Sequence, residues 1–398
     1  MARSPKALVD PNVLKWLRDV SGYSIDEAAK RVPTKPENLI AWEEGVERPS
    51  MPQLRTLARV FKRPISDFFL RRPLPEPDIP HDFRRLPEDG RRRYSPALRH
   101  EIRQAYRRRE LALDLAHDLE IELPRFVGRS SITLASNPED VGETIRQRLR
   151  VDVVEQAQWR NGDGRNGYNG WRQRIEDAGV FVFQVTTVEK EQMLGFSLAF
   201  ERQPVIAVNR KQGPRGRTFT MLHEFTHLLL GESGICDIEE SLLRPPQEQR
   251  VEVFCNHAAG AALVPMSCLL ASRFIGSGSQ PREWPEDTLE ALTREFGGAS
   301  KEVVLRRLLI AGRATKDFYT RKRAEWRARA AANEARDKER QKEVEMKRNV
   351  PQEAVSNLGA FARIVMSSYN SDAINITDAS KFLGVKAEKV SAVGDLLR

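Results

Sequence analysis

Two histidines four residues apart inside an almost unbroken apolar run, Met221-Leu-His-Glu-Phe-Thr-His-Leu-Leu-Leu230, constrain this chain more than any other feature. A run of that length and apolarity reads as a buried helix, and on a helix residues i and i+4 share one face. His223 and His227 therefore project together from a core element, with Glu224 beside them. Buried polar groups need partners. One zinc ion serves both imidazoles: zinc takes histidine nitrogen at about 2.0–2.1 Å, and the H-E-x-x-H spacing brings both rings to it while the glutamate points at the open position. Glu224 is then the candidate general base, taking a proton from water and passing it to the leaving amine of a cut peptide. With only six histidines in 398 residues, a chance pair on an amphipathic helix is the weaker reading.

A catalytic zinc keeps three protein ligands. Downstream, Glu248-Gln-Arg-Val-Glu252-Val-Phe-Cys-Asn-His257 offers two carboxylates and a histidine on a second helix. Glu252 is preferred, Cys255 is read as a small buried residue, and His257 as a neighbour of the site or a surface group. His223–His227, followed by Glu252-x-x-Cys255-Asn256-x-Ala258-Ala259 and Leu263-Val264-Pro265, resembles the ImmA/IrrE family of zinc metallopeptidases, whose pattern is E-x-x-A-N-x-F-A ending in L-M-P. The likeness extends upstream through Gly195-Phe-Ser197, residues 204–209 and Arg217-x-Phe219-Thr220, covering residues 170–270. It implies Glu252 as the third ligand, a zincin-like domain, and cleavage of a protein, often a repressor, under stress or at a mobile-element or toxin–antitoxin locus. Cys255 and Ala258 depart from the family's Ala and Phe, which bears on substrate shape rather than on the metal. The strand at Val205–Asn209 is expected to supply the edge along which zincin sites hold an extended substrate.

Residues 11–70 read as five short helices, at 12–21, 24–31, 36–44, 52–61 and 64–70. Ser24 with Glu27 makes a capping box, and Pro36 suits an early helical position, where a missing N–H costs nothing. The pattern Leu17-Arg18…Ala28-Ala29…Trp42-Glu43-x-Gly45…Leu54-x-x-Leu57 resembles the Cro/repressor (XRE) type of helix-turn-helix. That likeness implies Lys35, Glu37 and Asn38 at the major groove, with Arg48, Lys62 and Arg63 as phosphate contacts. Ile25 in place of a phosphate-contacting Gln, together with Glu37, Glu43 and Glu44, supports the competing reading of a protein-binding or dimerisation module, because carboxylates repel phosphates.

A formal charge of +9 favours polyanionic partners, and three cysteines (Cys236, Cys255, Cys268) make no disulfide framework. Without a signal peptide or a long apolar span, a cytoplasmic protein is expected, with no membrane partner. The expected fold is α+β. Helix-turn-helix occupies residues 1–72, a proline-rich linker and basic helix 73–125, the zincin-like domain 126–312 with a strand pair at 179–185 and 195–200, a charged helix 313–349, and a helical module 350–398. The Arg clusters at 84–85, 91–93 and 107–109 read as solvated faces. Gly162-x-Gly164-x-x-Gly167 lacks the preceding strand of a dinucleotide site and reads as a loop. The expected function is a zinc endopeptidase and transcriptional regulator that binds double-stranded DNA and cleaves a protein, a repressor or neighbouring toxin being the candidates and a dimer the candidate assembly. The alternative is a non-proteolytic DNA- or toxin-binding regulator with an idle or structural zinc site.

Overall fold

The computed structural model describes residues 5–76, 79–82, 94–126, 132–160, 162–236, 246–276, 278–343 and 349–398. The fold is α+β, in two compact units: Met1–Ile79 with Pro87–Arg107, and Pro80–Leu86 with Arg108–Arg398.

The first unit holds α1 (Pro11–Ser21), α2 (Ile25–Arg31), α3 (Pro36–Glu43), α4 (Met51–Phe61) and a 3-10 turn at Ile65–Phe69, each within a residue of expectation. Their ends follow local chemistry. Asp10 accepts from the N–H groups of Asn12 and Val13, and Ser24 and Glu27 cap each other. Leu14, Leu17, Ala28, Leu39, Trp42, Leu54, Leu57, Phe61 and Phe68 close one core. Glu43 departs from expectation: Arg18 donates to its two carboxylate oxygens at 2.7 and 3.0 Å. A nearly buried guanidinium requires a carboxylate, so Glu43 is neutralised inside the unit instead of adding charge to the surface of α3.

Helix α5 (Pro96–Asp118) is basic but not merely solvated, since Leu98, Ile102, Ala105, Ala112, Leu115 and Ala116 are all buried. Arg103 donates to the Val20 carbonyl at 2.9 Å, and burial pushes its guanidinium down to about 10. Arg109, read as a solvated charge, is buried instead: it lies 3.7 Å from the Phe200 ring centroid and donates to the carbonyls of Arg202 and Gln203 at 2.7 and 2.9 Å. The clusters at 84–85 and 91–93 lie outside the described residues.

In the second unit a five-stranded sheet has the order β1–β5–β3–β4–β2, where β1 is His81–Asp82, β2 Phe181–Val185, β3 Gly195–Leu198, β4 Val205–Asn209 and β5 Gly234–Cys236. Two expectations are corrected here. β2 pairs with β4, in parallel from Phe181↔Val205 to Val185↔Asn209, and not with β3. β4 is no edge, because β3 pairs antiparallel along its other side. The intervening segment carries the chain across to that side and is pinned by Asn209, whose Nδ2 donates to the carbonyls of Val188 and Met193 at 3.0 and 2.9 Å.

Strands β2, β3 and β4 are buried along their whole length, as strands covered on both faces must be. Alternation puts Val182, Ser197, Ile206, Val208 and Gly195 on one face, against α8 (Arg165–Asp177) and α9 (Pro214–Leu230). On the other face Phe183 meets Phe361 of α16 (Ala360–Asn370) edge-on at 6.3 Å. Residues 350–398 start with α15 (Val350–Leu358), whose Ser356 carbonyl accepts from Arg172 at 2.5 Å and Gln184 at 2.7 Å. In the Gly162–Gly167 stretch residues 162–164 are loop, as read, but the helix starts within it: Gly164, at φ +79°, caps α8, and Gly167, in its first turn, packs against the backbone of Gly298.

Helix α10 (Pro246–Leu263) runs against α6 (Pro138–Leu149), so closely that a Cβ on Gly142 would stand 2.5 Å from that of Ala261. The carbonyls that end α10 have side-chain donors: Arg146 to Ala262 at 2.9 Å, Gln156 to Leu263 at 2.8 Å, and Arg307 to Val264 at 2.8 Å. This fixes α10 in rotation and translation. Among the described residues no helix is long and apolar enough to cross a membrane.

Candidate metal centre

Helix α9 begins with Pro214 at its first turn and ends at Gly231 in the left-handed region (φ 77°). Residues 218–229 are all buried, so the helix is held on every side and its polar side chains have fixed places. His223 and His227, one turn apart, face α10, which contributes Glu252; all three are 0% exposed. His223 Nε2 and His227 Nε2 stand 3.2 Å apart, and Glu252 Oε1 lies 3.2 Å from His227 Nε2 and 3.5 Å from His223 Nε2.

These three separations test whether an ion fits. A tetrahedral centre with bonds of about 2.0–2.1 Å separates its ligand atoms by about 3.3–3.4 Å. The donor triangle has that size and that chemistry, two imidazoles and a carboxylate, so it can hold a divalent metal ion. Burial alone would raise the Glu252 carboxyl, yet the charge and hydrogen bonds of His223 and His227 hold it well below the usual carboxylate range. Its charged form is the one a metal requires.

Glu224 lies on the neighbouring face of α9, toward the sheet. A Cβ on Gly195 would come within 2.9 Å of its Oε1 and 2.6 Å of Thr220 Cγ2, so the bare backbone of β3 passes directly over the candidate base. That approach is held by a short relay. Thr220 donates to Gln212 Oε1 at 2.9 Å, and Gln212 Nε2 donates to the Leu194 carbonyl at 2.8 Å.

The remaining candidates separate cleanly. Cys255 is buried, and burial, followed by the carboxylates of Glu252, Glu224 and Glu232, pushes its thiol well up; its sulfur is not part of the His223, His227 and Glu252 donor cluster. His257 points away from the donors to Glu139 Oε1 at 2.6 Å, in a network where Arg307 donates to both Glu139 oxygens at 2.5 and 2.6 Å. Asn256, part of the motif that follows Glu252, places its Oδ1 3.0 Å from His223 Nδ1; its place four residues after Glu252 is the signal the sequence carries. In the first unit Lys35, Glu37, Asn38 and Arg48 are all exposed; Lys35 stands at the N-cap of α3, with Glu37 and Asn38 in its first turn.

Residues 175–309 match the family model described as Peptidase_M78, IrrE N-terminal-like domain. This is a metallopeptidase family. The matched stretch contains β2–β5, α9, α10, all three donors, Glu224, Gly195 and Asn256. No curated protein and no solved structure matches the chain. Sequence match and donor geometry agree on a metallopeptidase-like core in the second unit.

Proposed function

We propose that the second unit is a zinc-dependent endopeptidase that cleaves a protein partner, and that the first is a Cro/repressor-type helix-turn-helix that binds double-stranded DNA. The observation that carries the first half is the Nε2–Nε2–Oε1 triangle of 3.2, 3.2 and 3.5 Å with a carboxylate, Glu224, on the adjoining helix face. His223, His227 and Glu252 would hold a zinc ion, which would supply the electrophile for water and for the peptide carbonyl. The chain's own part is the proton: a Glu224 oxygen takes it from water and gives it to the departing amine. Gly195 leaves the base room beside β3, and burial keeps it away from competing solvent.

The second half rests on the cap and core of α1–α4, on Lys35 at the start of α3, and on the withdrawal of Glu43 into its pair with Arg18. A repressor or a neighbouring toxin protein is the candidate substrate, and a dimer the candidate assembly on DNA.

One observation favours the other reading, a DNA- or toxin-binding regulator with an idle or structural zinc. His223, Glu224, His227 and Glu252 are all 0% exposed, so a peptide reaches them only if the surroundings open. Glu224→Gln separates the two readings, since the amide is nearly isosteric and is not a ligand but cannot take the proton. Co-expression with proteins encoded beside it, read by mass spectrometry, should show a cut in the wild type that drops about 10²–10⁴-fold in the variant. A cut that persists in Glu224→Gln belongs to another protease; no cut in either moves the protein to the regulator reading.

A further inference from the structure

We infer that Asn256 is a positioning residue that sets the proton of His223 and so prepares its Nε2 for the metal; the inference rests on the reading of this site as a metal centre. A neutral imidazole carries one proton, and the nitrogen without it is the ligand. His223 Nε2 faces the donor triangle and His223 Nδ1 faces Asn256 Oδ1 at 3.0 Å. Since Oδ1 only accepts, the proton sits on Nδ1 and the Nε2 lone pair is left for the ion. A donor at that position would reverse the tautomer and close the site to metal.

The support is rigid. Asn256 is 1% exposed and lies one turn beyond Glu252, so α10 delivers the third ligand and the orienting group of the first from the same face. The contact with His223 accounts for the oxygen of this buried amide, while Asn256 Nδ2 is also buried and has no hydrogen-bond partner among the described residues. The side chain is kept for its oxygen.

Zinc affinity tests this without any substrate. The full-length protein is stripped of metal and titrated with Zn²⁺ against a chromophoric chelator. Asn256→Leu, similar in size and without the acceptor, should bind about 10–100-fold more weakly, while Asn256→Asp, which keeps the acceptor, should bind as tightly as wild type or tighter. Cobalt absorption should match wild type in Asn256→Asp and be perturbed in Asn256→Leu. Should the leucine variant fail to fold, Asn256→Ala must show the same loss. Wild-type affinity in the leucine or alanine variant overturns the inference, and so does equal weakening in Asn256→Asp, which would mean packing alone. A wild-type chain that holds no zinc removes the metal reading itself, and this inference with it.

Discussion

Two regions of this chain meet their proposed partners from opposite physical settings. His223, Glu224, His227 and Glu252 are each 0% exposed and held by packed helices, whereas Lys35, Glu37, Asn38 and Arg48 are all exposed. A buried polar cluster keeps its geometry only if its neighbours specify it, so the geometry itself speaks for the chemistry. An exposed basic face gains affinity from charge near phosphate, and many arrangements serve. Substitutions should therefore act steeply and site by site in the first region, and weakly and additively in the second.

The largest effect is expected at Gly195. Gly195→Ala places a methyl group 2.6 Å from Thr220 Cγ2 and 2.9 Å from Glu224 Oε1, so Thr220, Glu224 or β3 itself must shift and the approach of β3 to Glu224 is lost. Cleavage should fall at least about 10²-fold with zinc content unchanged. Full cleavage in this variant would show that β3 does not hold Glu224 in place.

Next comes the packing that positions α10. Gly142→Leu drives a side chain into Ala261 and the backbone of Ala262, at a cost of about 1–3 kcal/mol or more in denaturant unfolding. No loss of stability would show that α6 and α10 separate easily and that Glu252 is not fixed by their contact.

A smaller effect depends on pH. Burial raises the Glu139 carboxyl, but hydrogen bonds and charge from Arg307 and His257 outweigh it and hold the group below its ordinary value of 4.5. A carboxyl depressed in the folded state adds stability above its unfolded value, and that stability is lost as pH falls through the folded one. The Tm advantage of wild type over Glu139→Gln should be level above about pH 5 and shrink as pH drops below 4.5. An advantage that grows on acidification would reverse the assignment.

The smallest effects belong to the exposed face. Arg48→Ala, at a phosphate contact, should weaken DNA binding a few-fold, reduce the salt slope by about 0.9, and leave stability within about 0.5 kcal/mol. A gel shift across a salt series with DNA from upstream of the gene reads this. Collapse of binding after one such change would make the surface a specific site, and absence of any shift at low salt would favour a protein-binding module.

Much of this was legible in the sequence because it is written locally. The capping box at Ser24, Pro36 and the 3.6-residue spacing placed α1–α4 within a residue, and H-E-x-x-H placed two donors with Glu224 beside them. Sheet order was not legible, because β2, β3 and β4 are buried on both faces and carry no alternation to distinguish neighbours. The pairing of Glu43 with Arg18 and the burial of Arg109 were also hidden, since charge reads as surface until tertiary contact supplies a partner. Asn256 stands between these cases: its spacing from Glu252 was visible, but its bond to His223 crosses from one helix to another.

Metal content of the purified protein tests the central claim most directly. Elemental analysis of wild type should find about one zinc per chain, and His223→Ala, His227→Ala and Glu252→Ala should each lose it, because two remaining ligands hold the ion poorly. Full zinc stoichiometry retained in His223→Ala, with the chain folded, would contradict the assignment of the site.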